Sequence, residues 1–389
     1  MPSSHEVYSE QMRTKHNGYA LWRPQRPRQQ PPVSVGDVGY LRDGGFVRLF
    51  NIHLAEDDPC QGELPEGFEQ MIQLPDRIIE YDLRSGYIYS NAVRAISAGV
   101  QLSTGDVTFS TSKTRGAVLA LPFDGRIVNC HSHEKYRKYM ERHFDNWMAL
   151  TKRIGLGLKD DEIVLVNGCD LAPSWAVAAF VDTKHEARLT FSGSSIAAGL
   201  SSSANFVWKD EQNVETNWGP TSTGGPASTP ADQCVFLRGF HMKRSLLWPM
   251  RIKAMGRPQD LDEDSDDPPS FASTTNLLGL LSLQAGHVHE KSTPYAPFLD
   301  YILANAKCDL AIVHDDDIHP FLTENRLDLP EAITSQLALD AAIVKPKHAD
   351  EALVTARLIN PNPSAAHQSL SAPASSSHRL SEGDQHTLT

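Results

Sequence analysis

Residues 36–53, GDVGYLRDGGFVRLFNIH, set Asp43, Gly44 and Gly45 between two runs rich in Val, Tyr and Phe. Such runs suit a pleated, half-buried surface, and a short turn with positive φ lets them fold back on each other. The stretch therefore predicts a β-hairpin. A second follows in AISAGVQLSTGDVTFSTS at 95–112, where Ile96, Ala98, Val100 and Leu102 alternate with Ser97, Gly99, Gln101 and Ser103 before a turn at Gly105 and Asp106. WAVAAFV at 175–181 and ARLTFSG at 187–193 flank DTKHE as a third hairpin, and GAVLALP at 116–122 adds a strand beside the second. RIIEYDL (77–83), EIVLVNGCD (162–170), CVFLRGFHM (234–242) and LWPMRIKAM (247–255) extend the series. Strands joined by tight turns pair antiparallel, so the expectation is an antiparallel β-rich core over 34–256.

One long segment changes the period. From His133 to Ile154, Tyr136, Met140, His143, Phe144, Trp147, Met148, Ala149 and Ile154 recur at three- and four-residue steps, with Glu134, Lys135, Arg137, Lys138 and Arg142 turned away. This predicts a helix over 133–154 that lays its Tyr136, Met140, Phe144 and Trp147 face on the sheet and ends at Gly155. Residues 257–276 carry six acids among prolines and predict a flexible acidic linker. Beyond it, a helix at 297–306 and a strand at 308–314 make a small α/β segment, 277–356, that docks on the preceding sheet. Residues 1–33 are expected to form an extended N-terminal arm, and the Ser- and Pro-rich tail 357–389 to be disordered. The predicted class is α+β.

Composition removes some functions. The 389-residue chain has a net charge of −12, which disfavours nucleic acid as a partner, because that affinity comes from Lys and Arg displacing counterions. Its five cysteines are too scattered for a CxxC pair and fit reduced, buried thiols. The start lacks an apolar signal region, and LLGLLSL at 277–283 is too short to span a bilayer as a helix, so a cytoplasmic protein is expected. There is no GxxxxGK[ST], GxGxxG or GxSxG.

Metal-ligand chemistry is densest in AIVHDDDIHPF at 311–321. His314, Asp315, Asp316, Asp317 and His319 at a strand end could hold Mg²⁺ or Mn²⁺ through carboxylates, or Zn²⁺ through the histidines with His287 and His289. They equally suit a plain strand exit whose acids cap a following helix. CHSHE at 130–134 offers Cys130, His131 and His133, but Ser132 as the N-cap of the 133–154 helix accounts for that stretch more simply. In NGCD, Cys169 beside Asp170 is either a nucleophile or a buried structural thiol. The charge-free stretch 189–208, LTFSGSSIAAGLSSSANFVW, alternates like a stored membrane strand and equally like a half-solvated sheet.

GYALWRP with GDVGYLRDGGFVRLFNIH, EIVLVNGCDLAPSWAVAAF and DYILANAKCDLAIVHDDDI together resemble a protein family expanded in mushroom-forming basidiomycete fungi. The resemblance covers about 18–320. That family has no established activity or cofactor, so it implies no site residues. From the residues, the expected function is non-enzymatic binding or signalling with a protein partner. The alternatives are a membrane-active effector using 95–112 and 189–208, and a metal-dependent enzyme using the His314 to His319 group.

Overall fold

The computed structural model describes residues 2–72, 77–97, 107–181, 187–193, 206–209, 214–220, 230–245, 293–306, 308–324, 342–344 and 355–359. The N-terminal elements are α1 (Ser4–Met12), β1 (Tyr19–Ala20), β2 (Asp37–Arg42), β3 (Gly45–Asn51), β4 (Ile78–Leu83), β5 (Gly86–Tyr89), β6 (Val93–Ser97) and β7 (Val107–Thr111). Next come β8 (Gly116–Leu121), β9 (Gly125–Cys130), α2 (His133–Arg153), β10 (Ile163–Ala172), β11 (Trp175–Phe180), β12 (Ala187–Gly193), β13 (Phe206–Lys209), β14 (Val214–Gly219) and β15 (Gln233–Arg244). The chain continues through α3 (Ala296–Ala306), β16 (Leu310–His314), α4 (Asp315–Glu324), β17 (Ala342–Val344) and β18 (Thr355–Ile359). Antiparallel sheets dominate, and the class is α+β.

The largest sheet runs β17-β18-β16-β15-β10-β2-β3, with β1 also on β15 and with β9 linking β10 to β4. Its centre is the antiparallel pair β10 and β15, whose residues 163–172 and 233–242 are buried along their length. Each of these strands has two short neighbours set end to end on its outer edge. On β10, β2 pairs with Ile163 to Leu165 and β9 takes over at Gly168. On β15, β16 pairs with Phe240 to Arg244 and β1 takes over at Leu237. Both breaks fall in one row of the sheet, because Gly168 pairs with Arg238 and Val166 with Gly239 across a β-bulge. Glycine is required here: a Cβ on Gly168 would sit 2.5 Å from Asn129 Oδ1, and Gly18 has φ +103°.

Above this row, α2 buries Tyr136, Met140, Phe144 and Trp147 against Phe50, Val164 and Val166, as its period predicts. Below it, α1 and the lower strands pack Val7, Tyr8, Met12 and Phe236 onto a second sheet, β14-β11-β8-β5. That sheet is covered on both faces. Ala117, Leu119, Trp175 and Val177 join the α1 layer, while Val118, Ala120, Ala176 and Phe180 face a third sheet, β13-β12-β7-β6, through Phe109, Leu189 and Phe191.

Several expectations need correction. Residues 4–12 are a buried helix and not part of an extended arm: Ser3 and Glu6 form a capping box, and Val7, Tyr8 and Met12 are fully buried. β11 and β12 are not a hairpin, since β11 pairs with β8 and β14 and β12 with β7 and β13. With both faces apolar, β11 fills the middle layer, a place β12 cannot share because Arg188 is exposed and Thr190 half-buried. For the same reason β8 lies across from the β6-β7 hairpin and not beside it. Ser132 occupies the N-cap position of α2 but its side chain makes no capping bond. Cys60 is exposed, while the other four thiols are buried and all five are free. β18 carries order to Ile359, past the expected start of the tail. β16 does dock, pairing antiparallel with β15. The linker 257–276, the strand at 247–255, His287, His289 and residues 194–205 of the alternating stretch lie outside the described residues.

Candidate metal centre

The row where the strands break is also where polar side chains gather. β16 leaves the sheet at His314 and the chain turns straight into α4, so Asp315 and Asp316 diverge on its first turn. Asp315 is buried and accepts hydrogen bonds from the Gly239 N–H and the Tyr295 hydroxyl, both at 2.9 Å. Burial pushes its carboxyl up to about 6. Asp316 points the other way, towards His314 and towards His133 at the start of α2.

His133, His314 and Asp316 place one donor atom each within 4.8 Å of one another. Asp316 Oδ2 lies 3.6 Å from His133 Nε2 and 3.5 Å from His314 Nδ1. Ligands about 2.0–2.1 Å from a tetrahedral ion stand about 3.3 Å apart, close to both separations. The His314 side chain is 3% exposed, whereas those of His133 and Asp316 are each 37% exposed, so the group is anchored at one side and open at the other. Phe240 walls it, with its ring centroid 4.4 Å from that of His314 and 5.8 Å from that of His133.

Asn167 on β10 fixes the protonation pattern. The Asp316 backbone N–H donates to His314 Nδ1 at 3.0 Å, so the ring proton must reside on Nε2, which donates to Asn167 Oδ1 at 2.7 Å. The amide nitrogen of Asn167 then donates to His133 Nε2 at 3.3 Å, making that atom an acceptor as well. Two imidazole lone pairs and one carboxylate oxygen therefore converge. These are atom types that a transition-metal ion accepts as ligands, and here the Asp316 and Asn167 N–H groups occupy the two imidazole nitrogens. Burial holds the His314 pKa down to about 3 against the opposing pull of Asp316, keeping the ring neutral as a ligand must be. Burial would raise Asp316, but His314, His133, Asn17 and Arg238 together outweigh it and hold the carboxyl below its usual range.

Behind the centre sits Arg238, buried, donating to Asp170 Oδ1 at 2.6 Å and to Asn129 Oδ1 at 2.9 Å. Asp170 also bonds His16, and Arg238 together with His16 overcomes its burial and holds its carboxyl below the usual range. Burial pushes the Cys169 thiol up to about 12, so it is a core thiol and not a nucleophile.

Of the residues singled out from sequence, the structure brings together His314, Asp316 and His133, uniting the two motifs that looked separate. Asp315 faces away, Asp317 is outside the group, and His319, one turn along α4, reaches the Arg13 carbonyl. His131 is exposed, and Cys130 contributes only its carbonyl, 3.5 Å from the Asn167 amide. Asn17 and Asn167 were missed, and no local pattern marks either. No protein-family model and no curated protein matches the chain.

Proposed function

We propose that the protein binds one divalent transition-metal ion through His133 Nε2, His314 Nδ1 and Asp316 Oδ2, and that it is a metal-dependent enzyme. The convergence of three acceptor atoms from two distant segments carries this reading. Structural zinc sites are closed by four protein ligands, whereas catalytic ones keep three and leave a position for water or substrate. Three donors with two exposed side chains fit the second kind. Binding requires the ion to displace the Asp316 N–H from His314 Nδ1 and the Asn167 amide N–H from His133 Nε2, a loss of about 1–3 kcal/mol for the two, small beside a metal-binding free energy on the order of 10 kcal/mol. Two histidines and a carboxylate suit zinc hydrolysis and iron(II) oxygen chemistry alike, so the preferred metal selects the reaction.

Calorimetric titration of the metal-free chain with Zn²⁺, Co²⁺ and Fe²⁺ tests this. One equivalent should bind, and Asp316→Ala should abolish the binding. No stoichiometric binding, or binding that survives in both Asp316→Ala and His133→Ala, refutes it.

A binding role with a protein partner also draws support. Trp218 on the edge strand β14 is 50% exposed, and Tyr81 on β4 is 44% exposed. Aromatic side chains on open strand edges are the usual anchors of protein contacts. Among the described residues no helix is long and apolar enough to cross a membrane. Five free thiols favour a reducing compartment, and we assign the protein to the cytoplasm.

A further inference from the structure

Residues 13–18 cross the strand break as a strap pinned at several points. Arg13 lies over the Tyr295 ring at 4.9 Å, His16 bonds Asp170, and the Asn17 carbonyl accepts from Arg238 Nη1 at 3.4 Å. The next residue, Gly18, presses on β15 so closely that a Cβ there would lie 2.6 Å from the Leu237 carbonyl oxygen. Held this way, Asn17 directs its side chain at the metal centre and donates from Nδ2 to Asp316 Oδ1. A carboxylate only accepts, so the nitrogen of the amide must face Asp316 and its oxygen must face elsewhere. That oxygen, Asn17 Oδ1, is buried and meets no donor among the described residues. A buried acceptor without a donor costs about 1–3 kcal/mol, and such atoms mark places where a donor belongs.

We infer that Asn17 is a positioning residue of the metal centre, acting through Asp316 and through the bound water. Its amide nitrogen occupies Asp316 Oδ1 and leaves Oδ2 as a single-oxygen ligand. Its amide oxygen accepts a hydrogen bond from the water that fills the open coordination position, orienting that water for attack. The inference rests on the metal reading above and adds to it a residue 299 positions away in sequence.

Co²⁺ serves as the probe, because its visible absorption reports ligand number and geometry. Wild type, Asn17→Ala and Asn17→Leu are compared by Co²⁺ titration, by the spectrum at saturation and by thermal unfolding of the metal-free form. Leu keeps nearly the shape of Asn, so it retains the strap where Ala does not. Both variants should bind Co²⁺ about 10–100-fold more weakly, the usual effect of losing a ligand's hydrogen-bond partner, with a changed absorption spectrum. A purely structural Asn17 would lower the unfolding temperature and leave the Co²⁺ affinity and spectrum of the folded variant at wild-type values, which overturns the inference. If wild type itself takes up no Co²⁺, the metal reading falls first, and the inference falls with it.

Discussion

Trp147 offers a test of how α2 is held, and the indole gives it two opposed contributions. The side chain is fully buried, edge-on to Phe50 at 5.8 Å and near Phe144 and Tyr139 at 6.4 and 6.2 Å. A buried Trp removes about 200–250 Å² from water, worth roughly 5–6 kcal/mol as an upper bound at about 25 cal/mol/Å². Trp147→Ala should therefore cost about 3–5 kcal/mol. The indole Nε1–H, however, is buried with no acceptor among the described residues, a standing penalty of about 1–3 kcal/mol. Trp147→Phe forfeits roughly 40 Å² of burial, about 1 kcal/mol, but relieves that penalty. The Phe variant should thus stay within about 1 kcal/mol of wild type. Urea unfolding measures both, with the midpoint shifting and the slope unchanged if only the folded state is affected. A Phe variant as unstable as the Ala variant would refute the reasoning, since it would mean that the indole N–H is satisfied and that its loss adds to the cost.

Asp170→Ala leaves Arg238 buried and uncompensated and should cost about 3–5 kcal/mol by urea unfolding, whereas replacing both residues by apolar ones should recover most of it. The Asp170 carboxyl is held below its usual range, so its contribution is present above about pH 3.9 and lost as pH falls through its folded value; the variant should lack that acid limb. His241 acts in the same direction from a different cause: burial lowers its pKa to about 3. Between about pH 6.5 and 3 the unfolded chain binds a proton that the folded chain refuses, so acidification destabilises the native state by up to about 2.7 kcal/mol at pH 4.5. His241→Phe should therefore gain on wild type between pH 7.5 and pH 4.5, and an unchanged difference in urea midpoints would contradict this.

What was readable in the sequence is what local chemistry decides. The hairpin at 36–53 is there because the DG turn supplies two consecutive positive φ values, 50° at Asp43 and 76° at Gly44. The α2 period survives because one face meets a single flat partner. The pairing of β11 was not readable, because an apolar run with small residues on both sides describes a central strand without naming its neighbours. The candidate metal centre was half readable. HDDD and CHSHE each showed ligand types, yet their union depends on β10 carrying Asn167 into the gap between β16 and α2. Asn17 was invisible, being an ordinary residue made special by what stands opposite it.

The row where β2 meets β9 and β16 meets β1 also bears on the order in which the chain assembles. Every bond that closes that row joins remote parts of the chain, with His16 and Asp170 154 residues apart and Arg238 and Asn17 221 apart. Loop closure on that scale is slow, and contacts of this length form late in folding. The hairpins and α2 are able to form from local signals, but His133, His314 and Asp316 meet only when α2, the central strands, β16 and α4 have all arrived. On the proposed metal reading, uptake of the ion would report completion of the fold, and a ribosome-bound chain that has not yet released β16 and α4 lacks two of the three donors.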